Sequence, residues 1–430
     1  MKKNNKLLKH LFSLQQGDYK FGLERITEML QFIDNPQNNY PTIHVAGTNG
    51  KGSVCCLLAS ILQESGLKVG LYTSPHIFEF HERIRVNGVK ISDSEIEEYY
   101  AFIEDKAAEI GSTFFEITTA IAFKHFEKYK VDIAIIETGL GGRLDSTNVM
   151  NPILSIITTI DTDHEQILGN SIEKIAKEKA AIIKENVPVI VQYSDLRAMD
   201  VIQNRVNELC TQMFLVDSSP IVDLKGFASE KNMIIDIHLP TKQNLSNTII
   251  SNLMGFHQMK NIAVAIFAIN LLYYNSVGRK SIVKGIERVT KNTGLRFRTE
   301  CISENPKIII DVAHNSQSIG LLVTTLKEIS FDTKWNFVFG VMKDKNISKM
   351  LSNLMEVCNE LIVVSPNIER AATIEEIAET AKILGFKNIL KFKSIKEAMN
   401  YVKKSNEQTI ICGSFYVVEQ AAQALGINKI

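Results

Sequence analysis

The sequence predicts an α/β fold: a P-loop-containing, mostly parallel sheet domain, then a smaller Rossmann-like α/β domain. Three observations lead there. An apolar run, Thr42–Ala46, passes through Gly47-Thr48-Asn49-Gly50-Lys51-Gly52-Ser53 into an apolar-periodic stretch at 54–62, which reads as strand, loop and helix. Ile- and Val-rich runs at 131–138, 153–160 and 187–192 alternate with helical stretches, as buried parallel strands do. Near Gly294-Leu295-Arg296 the rhythm restarts, with strand-like runs at 308–312, 336–341, 361–365, 389–392 and 409–412 separated by helical segments.

Taken in order, residues 6–16 read as a first helix and 21–33 as a second, closed by Asp34-Asn35-Pro36. The strand, glycine loop and helix follow, ending at Gly66. Residues 68–72 form a short strand that leads to Thr73-Ser74-Pro75-His76. Ser92 and Glu95 have capping-box spacing and start a helix to about 110. Another helix runs over 114–129. Strand 131–138 empties into Gly139-Leu140-Gly141-Gly142-Arg143-Leu144-Asp145, a loop at a strand's carboxyl end, where open α/β sheets bind ligands. Strand 153–160 closes with Asp161-Thr162-Asp163-His164. A helix over 171–184 puts Lys179 on the same stripe as Ile172, Ile175, Ala176 and Ile183. Residues 212–252 read as short alternating strands, an antiparallel patch at the sheet's edge, and 255–274 as a long helix.

Size and composition bound the function. A chain of 430 residues exceeds the usual single core, so two or three domains are expected, and the restart near Gly294 divides the chain into 1–294 and 295–430. Lys+Arg and Asp+Glu each total 48, which argues against nucleic acid or an anionic membrane as partner. The six cysteines make no CxxC pair and read as buried thiols of a reducing compartment. The basic start has no long apolar core behind it, so neither signal peptide nor membrane span is expected, and the protein reads as cytoplasmic.

The glycine loop departs from the strict Walker spacing, since two residues separate Gly47 from Gly50 and Gly52 separates Lys51 from Ser53. Its physics is that of a phosphate cradle. Glycines admit close backbone approach, helix amides point at the anion, Lys51 adds a charge and Ser53 a magnesium-directed hydroxyl.

These motifs, with TSPH, FHERIRVNG, FFEITTA, ETGLGGRLDSTNV, DHEQILG, IAKEKA, GFHQMKN, DVAHN and MKDKN, resemble the folylpolyglutamate synthase/dihydrofolate synthase family of Mur ligases over nearly the whole chain. The resemblance implies ATP as co-substrate, two magnesium ions, a folate (tetrahydrofolate or dihydropteroate) and L-glutamate. It also implies an acyl-phosphate intermediate and, as we read it, a monomer. It puts Gly47, Thr48, Asn49, Gly50, Lys51, Gly52 and Ser53 on the ATP phosphates, with His257, Asn261, Arg296, Asp311 and His314 on the rest of the nucleotide. Ser53, Ser74, Glu137 and His164 become magnesium ligands. Thr113, Phe115 and Asp145 face the folate, and Arg83 serves the folate or its own loop. Lys51, His164 and Lys179 carry catalysis, with Lys179 modified to N6-carboxylysine, because a bare ammonium beside two dications is electrostatically wrong.

Competing readings stand beside these roles: a buried salt bridge for Glu137, a hydrogen-bonded loop histidine for His164, a snorkelling lysine for Lys179, core packing for Phe115. The chain departs from the family at Gly294 and Leu295, where proline and glycine are usual, at Ala181 for glycine, and at Ser316 for proline. Two rival functions are a Mur ligase of peptidoglycan precursors and a non-catalytic P-loop nucleotide-binding protein. Only about 40 residues precede Gly47, too few for a UDP-binding domain. Lys51, Glu137, His164 and Lys179 together argue against a non-catalytic protein.

Overall fold

A computed structural model describes residues 7, 11, 12, 14, 22–217, 221–229, 231–238, 246–273 and 276–427. The expected first helix, 6–16, falls almost wholly outside the described residues. The chain divides into two units, one of residues 1–221 with 261–294, the other of 222–260 with 295–430.

The first unit is built on an eight-stranded sheet. Its strands are β1 (Thr42–Ala46), β2 (Val69–Tyr72), β3 (Ile84–Val86), β4 (Val89–Lys90), β5 (Ile133–Glu137), β6 (Leu154–Ile157), β7 (Val189–Gln192) and β8 (Met213–Val216). Their order is β4-β3-β2-β5-β1-β6-β7-β8. Every pairing from β2 to β8 is parallel, so the loops that leave β2, β5, β1 and β6 share one edge. β1 and β5 are buried at all five positions, which is why they read as continuous apolar runs. The antiparallel pair β3–β4 closes the far edge through Asn87-Gly88, both at positive φ, a turn whose twist suits a two-residue hairpin.

Helices cover the sheet in two apolar layers. One gathers Tyr72, Ala134 and Ile136 with helices Glu24–Phe32, Asp93–Glu109 and Phe114–Tyr129. The other gathers Ala46, Ile157, Val189 and Val191 with helices Ile172–Ala180 and Leu196–Glu208. Capping boxes at Ser92–Glu95 and Thr113–Glu116 start two of these helices. The helix after the glycine loop, Lys51–Glu64, is braced along its rear by helices Arg279–Glu287 and Val289–Thr293. Ser60 Oγ donates to Gly285 O at 2.6 Å, and Asn292 Nδ2 donates to Ser60 Oγ and Glu64 Oε1, each at 3.0 Å.

The second unit holds a six-stranded sheet of β12 (Glu300–Glu304), β13 (Lys307–Ile310), β14 (Trp335–Phe339), β15 (Cys358–Val363), β16 (Ile389–Lys391) and β17 (Thr409–Cys412). Its order is β12-β13-β17-β14-β15-β16, parallel except for β12. Residues 212–252 correct the sequence reading. Met213–Val216 joins the first sheet in parallel as β8, and β9 (Val222–Ser229), β10 (Asn232–His238) and β11 (Ser246–Ser251) form their own antiparallel sheet rather than its edge. Met233, Ile235 and Ile237 on alternate positions of β10 are fully buried, so the two-residue period was genuine but said nothing about which sheet it served. Among the described residues, no helix is long and apolar enough to cross a membrane.

Candidate active site

Four loops converge at the carboxyl edge of the first sheet: 47–53 after β1, 73–76 after β2, 138–145 after β5 and 158–164 after β6. The glycine loop is tied to its neighbour by backbone. Thr48 N donates to Thr159 O at 2.7 Å, and Thr48 Oγ1 and Asp161 exchange two bonds at 3.0 Å. Thr158 Oγ1 donates to Asn49 O at 2.8 Å. Gly47 has φ +152, and a Cβ there would lie 1.7 Å from Thr158 Oγ1. Gly50 has φ +91, and a Cβ there would lie 2.7 Å from Asn261 Oδ1, so Asn261 sits over the loop.

Two lysines meet at one carbonyl. Lys179 Nζ donates to Gly47 O at 2.8 Å, and Lys51 Nζ donates to the same oxygen at 3.0 Å and to Thr48 O at 3.2 Å. Lys179 is only 4 % exposed, so the inward stripe read from the sequence is real. Burial first, and the neighbouring Lys51 second, push its ammonium down to about 7. Its helix is brought in by the glycine-rich loop. Gly142 packs on Glu178 O and Lys179 Cα, Arg143 N donates to Glu178 O at 2.8 Å, and Arg143 Nε pairs with Glu178 Oε1 at 2.9 Å.

Glu137 lies beside Val45 in register and is 4 % exposed. Its Oε2 accepts from Ser74 N at 3.1 Å, which ties the carboxylate to the loop after β2. Ser53 is buried in the first turn of its helix. His164 has φ +50, a strained setting for a histidine, and its carbonyl starts the short helix Glu165–Leu168. Hydroxyl and carboxylate oxygens are the donors magnesium prefers, and a buried carboxylate in an apolar strand asks for a positive partner, so this donor set fits the ion. Among the described residues no three His, Cys, Asp or Glu side chains gather as a ready metal cluster.

Beside this edge lies a partly apolar wall. The Phe115 ring packs under Gly139 and stacks on Tyr72, centroids 5.9 Å apart. Thr113 is the N-cap of helix Phe114–Tyr129, accepting from Glu116 N at 3.3 Å. Arg83 is buried, donates to His76 Nδ1 at 2.8 Å and lies over the Phe114 ring. Asp145 accepts from Leu140 N at 2.8 Å, Thr147 N at 3.1 Å and Thr147 Oγ1 at 2.5 Å. Burial holds its carboxyl above the usual range. These bonds fold the loop, and they were not foreseen from the sequence.

In the second unit, Asp311 accepts from Thr299 N at 2.6 Å, Thr299 Oγ1 at 2.9 Å and Ala313 N at 2.7 Å. His314 Nδ1 bonds Val312 O at 3.0 Å, and its ring lies against Phe415. Arg296 is engaged by Glu300, which takes its Nε at 2.7 Å and its Nη2 at 2.6 Å. Arg298, not named from the sequence, sits over Phe415 and acts electrostatically on both His257 and Asp311. Phe297 and Thr299 on either side have φ +56 and +52, a costly conformation for an aromatic and a β-branched residue. Burial, with Arg298 second, pushes His257 down to about 4.

Comparison with known proteins follows this geometry. Residues 45–269 match the Mur ligase middle domain, and 297–415 match the Mur ligase glutamate ligase domain. The dihydrofolate synthase/folylpolyglutamate synthase of Bacillus subtilis is 33% identical over 94% of this chain and 95% of its own. The Mycobacterium tuberculosis folylpolyglutamate synthase solved with ADP and AMPPCP superposes with a TM-score of 0.89 at 26% identity, covering 99% of both chains. A bifunctional folylpolyglutamate synthase/dihydrofolate synthase solved with Mn, AMPPNP and L-glutamate gives 0.82 at 29%, covering 98% of both chains.

Proposed function

The chain belongs to the folylpolyglutamate synthase/dihydrofolate synthase family of Mur ligases, and we infer from this and from its own geometry that it is an ATP-dependent ligase joining L-glutamate to a folate. One observation carries the reading: four strand-end loops meet around Gly47, with Lys51 and Lys179 on its carbonyl and Glu137 bound to Ser74 at the same edge.

The chemistry follows from what those residues can do. A carboxylate resists attack by an amine, so it must first gain a leaving group. A folate carboxylate oxygen attacks the γ-phosphorus of ATP, ADP departs, and an acyl phosphate remains. The amine of glutamate attacks the acyl carbon, phosphate leaves, and an amide and a proton result. The amides of 47–53 and the Lys51 ammonium hold the phosphates and offset the charge on the transferring group. Ser53, Ser74, Glu137 and His164 would hold two magnesium ions. Magnesium, when bound, supplies positive charge to the phosphate oxygens.

Lys179 is proposed as N6-carboxylysine. Near neutral pH much of its side chain is free amine, which adds to carbon dioxide with loss of one proton. The product is an anion where the ammonium had met Lys51. Asn261 over Gly50 supports a nucleotide role for it, and the family resemblance assigns His257, Arg296, Asp311 and His314 to the nucleotide as well. Arg298, which lies over Phe415 and acts on His257 and Asp311, is proposed for the nucleotide beside Arg296. Phe115 offers a flat surface to the folate ring, with Thr113, Asp145 and Arg83 shaping the loops around it. We take the enzyme to act as a cytoplasmic monomer.

The test is phosphate release measured with tetrahydrofolate or dihydropteroate, each with and without L-glutamate, and product mass by chromatography. Release that needs both substrates, with a mass gain of one glutamyl residue, supports the reading. Release independent of folate, or none, overturns it.

A further inference from the structure

The DSTNV segment contributes only Asp145 to the proposed site, yet the three residues after it are all buried. They form the turn Ser146–Val149, and each bond this turn makes leads to a different part of the site. Thr147 Oγ1 donates to Asp145 Oδ1 at 2.5 Å and meets His44 Nε2 at 2.8 Å. Asn148 Nδ2 donates to Arg143 O at 3.1 Å and Ala181 O at 3.4 Å. Asn148 O accepts from Lys184 Nζ at 3.1 Å. The turn therefore joins strand β1, the Gly139–Asp145 loop and the end of the helix that carries Lys179.

The proton order in the chain is set by chemistry. Asp145 faces donors on both oxygens and acts as an acceptor. The single Thr147 proton goes to Asp145, so Thr147 must accept from His44, whose proton then sits on Nε2. His44 is 0 % exposed, and its Nδ1 has no hydrogen-bond partner among the described residues, as expected for the bare lone pair of that tautomer.

We propose that His44 and Thr147 are positioning residues for folate: a buried donor chain, His44 Nε2–H to Thr147 Oγ–H to Asp145, that fixes the wall loop against the strand leading into the phosphate loop. The inference rests on the ligase reading above. Losing the chain lets Asp145 and Leu140 drift while the glycine loop keeps its own bonds to Thr158, Thr159 and Asp161. Folate binding then suffers and ATP binding does not.

The experiment compares Thr147→Val with Thr147→Ser and His44→Leu with His44→Gln, with KM for each substrate and kcat measured separately. Val and Leu should raise the folate KM about tenfold, the size of one charge-assisted hydrogen bond, and leave the ATP KM within about twofold. Ser and Gln, which restore a donor, should return the folate KM to near the wild-type value. A folate KM unmoved by Thr147→Val, or a parallel rise in both KM values, overturns the proposal. The ring nitrogens of His44 in the wild-type protein are read by 15N NMR. A proton on Nε2 at pH 7 supports the chain, and one on Nδ1 overturns it even if the variants fail to fold. Wild-type protein without folate-dependent turnover would overturn the ligase reading instead, and the tautomer would still decide the hydrogen-bond chain.

Discussion

Replacing Lys179 by methionine should make the protein more stable at low pH and less active at every pH. The magnitude follows from burial. The ammonium falls from 10.5 to about 7, and at about 1.4 kcal/mol per tenfold change in proton affinity this is about 5 kcal/mol of folding free energy. Between pH 7 and 10.5 the unfolded chain binds the proton that the native state has released, so wild-type stability rises with pH across that window. Below pH 7 both states carry the proton and the full cost is present. Methionine removes the charge and the bond to Gly47 O, the latter worth about 1 kcal/mol. At pH 6 the variant should therefore be more stable by about 4 kcal/mol, and by pH 10.5 the advantage should be gone. Guanidinium unfolding in carbon-dioxide-free buffer at pH 6, 8 and 10 measures it. Parallel stability curves for the two proteins would show that Lys179 is not buried as an ammonium and would refute the reasoning. Added bicarbonate should raise wild-type turnover near pH 7 and leave Lys179→Met unchanged.

Gly47→Ala would place a Cβ 1.7 Å from Thr158 Oγ1, and ATP affinity measured by calorimetry should fall at least 100-fold. Gly142→Ala meets Glu178 O at 2.7 Å, so it should push the Lys179 helix outward and lower kcat about tenfold with little change in ATP KM. Arg298→Ala should lower kcat/KM for ATP at least tenfold. Glu137→Gln keeps the size and an acceptor but loses the charge, and should raise the magnesium concentration needed for half-maximal turnover about tenfold.

Much of the site was legible because its loops follow buried strands, and a run such as Ile133–Glu137 announces both the strand and the odd carboxylate at its end. Lys179 was legible because helical spacing puts it on the stripe of Ile172, Ile175 and Ala176. The left-handed backbone at Phe297 and Thr299, on either side of Arg298, was not, because neither residue type favours it. The His44–Thr147 chain was hidden for a different reason, since a contact spanning 103 residues leaves no periodic trace. The β9–β11 sheet was visible as alternation but not as a separate sheet, because period alone does not choose a partner.

The rear brace of the helix Lys51–Glu64 has a bearing on biosynthesis. Ser60 and Ile61 are covered by Gly285, more than 220 residues later, after the whole β9–β11 sheet has left the ribosome. A fragment ending at residue 221 would expose that groove, so neither unit is a severable stretch of chain. Nascent polypeptide must wait, half-covered, for its own later helices.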